Sequence, residues 1–119
     1  MEKFRKLKVW FKAHLLVLEV YKLTVEFPRS ELFGLVSQMR RAAISVVANI
    51  VEGCKRKSIK DRQHFLVMSE TSLEELKYYF FLSRELSYIT VEKETEMCEN
   101  AREIGRMLTG LSRSLDFTT

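Results

Sequence analysis

The sequence predicts an all-α fold, an antiparallel up-down-up-down four-helix bundle, and three observations carry that expectation. Four glycines and one proline in 119 residues are too few to turn a multi-stranded sheet. Apolar residues recur at steps of three and four over four long stretches, the helical period. Short links join those stretches, and helices of similar length joined this way pack antiparallel. The length fits a single domain over residues 1–119, enough to bury a core without disulfides or metals. No repeat, low-complexity tract or interdomain linker interrupts it.

The first helix is expected from about Phe4 to Phe27, with Trp10, Ala13, Val17, Val20, Tyr21 and Thr24 on its inward face. Pro28 ends it, because the residue before proline is pushed out of the helical region. Ser30 is the expected N-cap of the second helix, with Glu31 at its positive end. Gly53 is its expected C-terminal stop. Lys55-Arg56-Lys57 form the next turn, and Ser58 with Asp61 resembles a capping box. The third helix continues to about Leu86, with Phe65, Ser69, Ser72, Leu76, Tyr79, Phe80 and Ser83 on one face. Ser87 to Ile89 turn the chain, and Thr90 caps a fourth helix with the seam Met97, Ala101, Ile104, Leu108, Leu111 and Leu115. Each helix covers about 20–28 residues, or roughly 30–40 Å at 1.5 Å per residue.

The second helix is the most informative. Leu35, Met39, Ala42, Val46 and Ile50 form an ordinary apolar seam. Beside it runs a polar stripe, Gln38, Arg41, Ser45, Asn49 and Glu52, of the kind that fixes helix register through hydrogen bonds. Ala43, Ile44, Val47 and Val51 widen the apolar arc to about 200°, beyond the roughly 100° that one face of a bundle needs. A subunit interface is therefore expected at Ile44, Val47 and Val51. Tyr78 and Phe81 of the third helix, with Leu82, fall off its inward face and extend the expectation.

The chemistry of an active site is missing. His14 and His64 lie in different helices without a His-x-x-x-His or Glu-x-x-His partner, so no metal and no cofactor is expected. Lys55 and Arg56 beside Cys54 would stabilise a thiolate, but no general base can be named, and no catalytic residue is assigned. Cys98 is expected as a small, partly buried apolar group. Glycine-rich phosphate loops and a nucleophile elbow are absent. Glu74 and Glu75 point about 100° apart on a helix and form no carboxylate pair.

Charge is modest in total and uneven in placement. Twenty Lys and Arg against sixteen Asp and Glu give +4. Lys3, Arg5, Lys6, Lys8 and Lys12 form one basic run. Lys55, Arg56, Lys57, Lys60 and Arg62 form another, and Glu92, Glu94, Glu96, Glu99 and Glu103 dominate an acidic one. Such polarity suits a polyanion or head-to-tail self-association. The second basic run, with Arg40 and Arg41, is the candidate phosphate-binding surface. Two unpaired cysteines suit a reduced cytoplasmic setting, and Lys12, His14 and Glu19 interrupt the only signal-like apolar run. No stretch reaches the roughly 18 apolar residues of a membrane span.

Leu35-x-x-Gln38-x-Arg40-Arg41-Ala42-Ala43-x-Ser45-x-x-Ala48-Asn49-Ile50-x-Glu52-Gly53 resembles the signature of the four-helix-bundle proteins encoded in 23S rRNA intervening sequences. Lys6-Leu7-Lys8-Val9-Trp10, Ala13, Leu16, Tyr21, Thr24 and Phe27-Pro28 are similar to that family too. So are Phe65-Leu66, Ser72-Leu73-x-Glu75-Leu76 and Met107-Leu108-x-Gly110-Leu111. The chain departs from the family at Val47, where proline is common, at Val51, where alanine is common, and at Ser69 and Thr71, where the family has a small Ala-x-Gly pair. The resemblance implies a homopentamer. It also implies a distant likeness to accessory proteins of diversity-generating retroelements, basic pentamers that bind nucleic acid and a reverse transcriptase. The expected function is a non-enzymatic oligomeric accessory protein that binds RNA or another nucleic acid through its basic clusters. A protein-interaction scaffold without nucleic-acid binding is the alternative.

Overall fold

A computed structural model describes residues 7–114. Four long helices account for nearly all of them: α1 (Lys8–Thr24), α2 (Leu35–Lys55), α3 (Ile59–Glu85) and α4 (Val91–Ser114), with a 3-10 turn at Arg29–Glu31. No strand occurs among the described residues. The expected helix start at Phe4, the basic residues Lys3, Arg5 and Lys6, and Leu115 of the fourth seam lie outside them. α2 packs on α1 and α3, and α4 packs on α3 and α1, so the helices occupy the corners of a bundle. Hydrogen bonds fix the direction of two pairs. Ser69, Ser72 and Ser83 of α3 reach Val46, Ser45 and Met39 of α2, so one helix rises as the other falls. The same holds for Gln63, Glu70 and Arg84 of α3 against Ser112, Thr109 and Glu94 of α4. No helix among the described residues is long and apolar enough to cross a membrane.

Local chemistry sets the helix ends. Ser58 Oγ accepts the Asp61 amide at 3.1 Å, and Thr90 Oγ1 accepts the Lys93 amide at 3.1 Å, both satisfying N–H groups that a helix start leaves orphaned. At the end of α3, Ser87 takes φ 64° and the Tyr88 amide reaches back to the Ser83 carbonyl at 2.8 Å. This is the left-handed closure that usually recruits glycine. Three expected boundaries are corrected. Ser30 does not cap α2; it lies in the 3-10 turn, and α2 begins after Gly34. There the Glu31 carboxylate accepts the Leu35 amide at 3.4 Å, and a Cβ on Gly34 would come within 3.2 Å of that oxygen. Gly53 does not stop α2, because its φ is not positive and it is buried inside the helix. α1 ends at Thr24 rather than Phe27. Phe27 instead turns into the core and packs on Tyr88, with ring centroids 5.1 Å apart.

The core is one cluster drawn from all four helices. On α1 the buried line is Val9, Ala13, Leu16, Val20 and Thr24, so the expected inward face is rotated by part of a turn. Trp10 and Val17 are half-buried, and Tyr21 is exposed beneath the Arg40 guanidinium, 4.4 Å from its ring. Neighbouring α1 and α3 cover much of the wide apolar arc of α2. Ala43 is fully buried and Val47 packs against the core, while Ile44 stays exposed. Leu82, expected on the surface, also packs against the core.

Small polar residues line the α2–α3 seam. Ser69 is fully buried and donates to the Val46 carbonyl at 2.7 Å. Ser72 Oγ donates to Ser45 Oγ at 2.9 Å, and Asn49 Nδ2 donates to the Ser45 carbonyl and hydroxyl at 2.9 and 3.1 Å. A larger side chain at Ser69 would have to push the helices apart. Ser69→Leu should therefore lower unfolding stability by about 1–3 kcal/mol, and Ser69→Ala by only about 1 kcal/mol. Urea unfolding followed by circular dichroism checks both, and equal costs would remove close approach as the explanation.

Candidate functional site

The α2–α3 turn carries a dense positive charge that few neighbours neutralise. Lys55, Lys57 and Lys60 make no ion pair with another described residue. Arg56 is partly committed: it pairs with Glu52 at 2.9 Å and lies 4.7 Å from the Phe65 ring. Arg62 Nε donates to the Arg56 carbonyl at 2.9 Å, which folds the turn back on itself. The amide dipoles at the start of α3 add to the field around Lys57 and Lys60. Gln63 Nε2 donates to the Ser112 carbonyl at 3.1 Å, and that bond brings the end of α4, with Arg113, to the same end of the bundle. Sequence reasoning missed Arg113. It stands alone in the chain, and only the pairing of α4 with α3 shows where it arrives.

Arg40 and Arg41 are not part of this cluster. They lie about 22 Å from Lys55 along α2 at 1.5 Å per residue, near the opposite end. Arg40 is occupied as well, donating to Thr24 Oγ1 at 3.1 Å while covering Tyr21. Their adjacency to the basic turn in sequence order is undone by the length of the helix between. That opposite end carries both signs, with Arg29 and Lys93 beside its carboxylates. Glu31 accepts the Tyr88 hydroxyl at 2.7 Å, Arg84 bridges Glu85 and Glu94, and Glu92 and Glu96 follow on α4.

The polar stripe of α2 divides by function. Ser45 and Asn49 belong to the hydrogen-bonded seam with α3. Gln38 and Arg41 face solvent, and Glu52 pairs with Arg56. The five candidate interface residues divide too. Ile44, Val47 and Val51 share the side of α2 that carries Arg40 and so faces α1. Tyr78 and Phe81 lie on α3 beside Arg84, which reaches α4.

A shallow groove of about 740 Å³ runs between α3 and α4. Gly105 and Gly110 open it; a Cβ on Gly105 would meet only Leu73 Cδ1 at 3.9 Å, and one on Gly110 nothing within 4 Å. Its carboxylates, Glu70 and Glu74, sit among Lys77, Arg102, Arg106 and Arg113, and Glu74 is held by Lys77. Thr109 Oγ1 donates to Glu70 Oε1 across it at 3.3 Å and to its own Gly105 carbonyl at 3.1 Å. Among the described residues no group of three His, Cys, Asp or Glu is placed to hold a metal ion. His14 stacks on Trp10 with centroids 5.4 Å apart, and His64 meets the Phe65 ring edge-on at 5.4 Å.

The profile of the 23S rRNA-intervening sequence protein family matches residues 5–110. Among solved structures, the fold is similar to a protein of unknown function from the S23 ribosomal protein family of Bacteroides thetaiotaomicron. The TM-score is 0.80 at 22% identity, over 88% of this chain and 95% of that one. No curated protein matches the chain.

Cysteine chemistry reverses one sequence expectation. Burial pushes the Cys54 thiol up to about 11, and the opposing charge of Arg62 does not offset it; Cys98 is also raised, first by burial and then by Glu94. Cys54 is therefore a protonated thiol at neutral pH, and its thiolate population at pH 8 is roughly 100-fold below that of an unfolded cysteine. Iodoacetamide should modify Cys54 of the native protein at pH 8 far more slowly than in urea, with the difference narrowing as pH approaches 11. The unfolded thiol ionises first, so the contribution of Cys54 to stability is intact below about pH 9 and is lost as pH rises to about 11. Rapid native alkylation at pH 8 would contradict this.

Proposed function

We propose, on the premise that this chain belongs to the 23S rRNA-intervening sequence protein family, that it is a non-enzymatic, oligomeric accessory protein that binds nucleic acid in the cytoplasm. The observation that carries this reading is the uneven charge of the bundle: Lys55, Lys57 and Lys60 cluster at one end and make no ion pair with another described residue, whereas the other end carries both signs and pairs Arg84 with Glu85 and Glu94 and Lys93 with Glu96. Phosphates are the natural ligands of such a surface, because lysines and a helix start supply charge and N–H donors without reading bases. Lys55, Arg56, Lys57, Lys60, Arg62 and Arg113 are the contacts we assign; Arg40 and Arg41 play no part in them. Assembly as a homopentamer, which the family resemblance implies, would repeat the basic end and raise affinity for a polyanion through multivalency.

The reading has a direct test in RNA-binding anisotropy with a labelled ribosomal RNA hairpin and an unrelated hairpin. Both should bind, and affinity should fall steeply between about 50 and 200 mM salt. The triple variant Lys55→Glu, Lys57→Glu, Lys60→Glu should weaken binding at least tenfold and flatten the log–log salt slope by about 2–3. Unchanged affinity in that variant would overturn the reading. No binding to either hairpin at low salt would do so as well, and would favour a protein-interaction scaffold.

A further inference from the structure

Lys8, the first residue of α1, lies far from Lys55 in the chain and level with it in space. Thr24 of α1 and Arg40 of α2 touch; from that contact α1 leads back about 24 Å to Lys8, and α2 leads about 22 Å to Lys55, at 1.5 Å per residue. The Lys12–Glu103 ion pair, at 2.7 Å, agrees. It sets the start of α1 beside the second half of α4, whose end Gln63 holds at the basic end. On the other side of α2, Ser69 sits on the Val46 carbonyl. About 14 Å of helix leads from that bond to Lys60 on α3 and to Lys55 on α2.

Each helix therefore brings a cation to this end: Lys8, Lys55, Lys60 and Arg113. All four are exposed and make no ion pair with another described residue. α1 packs on α2 and α4 and stands diagonally across from α3. Neighbouring bundle helices lie about 8–10 Å apart, so the diagonal is roughly 11–14 Å. Phosphates of one strand follow each other at only about 3.4 Å along the helix axis, whereas two strands face each other across a groove about 12 Å wide. An array of four corners on the second scale reaches both strands. Proteins that hold single strands add aromatic faces for unpaired bases. Phe65, in the second turn of α3, is half-buried, with Arg56 4.7 Å over its ring and His64 against its edge. Phe11 is exposed but lies opposite the buried line of α1, so it faces sideways and not along the bundle axis.

We infer that the basic end seats end-on across a groove of a nucleic-acid double helix, with Lys8 and Lys60 on phosphates of opposite strands and Lys55 and Arg113 between them. This rests on the nucleic-acid reading above and names the class of polyanion, paired and not single-stranded. Lys8 joins the contacts already assigned. The chemistry recognised is two facing rows of phosphates, which the major groove of B-DNA and the wide minor groove of A-form RNA both offer. Backbone contacts of this kind fix position and carry no base sequence.

Anisotropy with a short blunt RNA duplex, a DNA duplex of the same sequence and an unpaired strand of that sequence tests this. Both duplexes should bind about tenfold more tightly than the strand at low salt. A preference between the two duplexes, both above the strand, supports the inference and identifies the groove. Lys8→Glu should weaken duplex binding as much as Lys60→Glu does and flatten the log–log salt slope by about one. Lys22→Glu makes the same charge change at an exposed position near the far end of α1, and it should leave duplex binding unchanged. Far-UV circular dichroism checks helicity, and Lys8→Gln replaces Lys8→Glu if helicity falls. A strand bound as tightly as the duplexes, or a Lys8 variant that binds like Lys22→Glu, would overturn this inference and leave the nucleic-acid reading standing. No binding by duplexes or strand at low salt would overturn that reading and this inference with it.

Discussion

The close approach of α2 and α3 through a seam of serines is the constraint on which the rest of the molecule depends. Ser69 and Ser72 bring α3 against the backbone and hydroxyls of α2, and Asn49 locks Ser45 in position from within α2. Large apolar side chains could pack at several offsets, but hydrogen bonds between small groups have one register. That register fixes where the α2–α3 turn projects, hence where its lysines stand. It also fixes where α3 delivers Gln63 and Arg84 to α4. A slip of one helical turn, about 5.4 Å, would leave each buried hydroxyl facing apolar surface and uncouple the two ends of the bundle.

Much of the fold is written in local patterns. Helical periodicity, the Ser58 and Thr90 caps and the break at Pro28 are short-range signals, and they describe four helices close to those found. What local patterns miss has a common cause, which is competition from groups distant in sequence. Glu31 takes over the start of α2 that Ser30 would cap, and it is held there by Tyr88 from the far loop. Tyr21 lies off the buried line Val9, Ala13, Leu16, Val20 and Thr24 of α1, and the Arg40 guanidinium from α2 covers its ring. Gly53 is swallowed by the helix it was expected to end, since nothing there requires a positive φ. The single left-handed closure among the described residues falls on Ser87 instead.

The candidate site shows the same division. The run from Lys55 to Arg62 is contiguous, so sequence alone finds it. Arg40 and Arg41 lie close to it in the chain and far from it in space, because a helix converts fifteen residues into roughly 22 Å. Arg113 is the reverse case, distant in the chain and brought near by the α3–α4 register. The cysteine next to two cations shows why neighbours in sequence are a poor guide to electrostatics. Partial burial of Cys54 outweighs the charge around it, and its thiol is held up rather than down.

A bundle with a concentrated cationic end and an opposite end of mixed, largely paired charge is suited to presenting one charged face to a polyanion. On this reading nucleic acid meets the basic end and nothing else. Backbone NMR titration with a short RNA hairpin tests this most directly, because it maps contact residue by residue without altering the protein. Amide shifts should concentrate at residues 55–62 and at the end of α4 near Arg113, leaving Arg40, Arg41 and residues 85–96 unmoved. Shifts centred on the opposite end, around Arg40, Arg41 and residues 85–96, or none at saturating RNA, would contradict it.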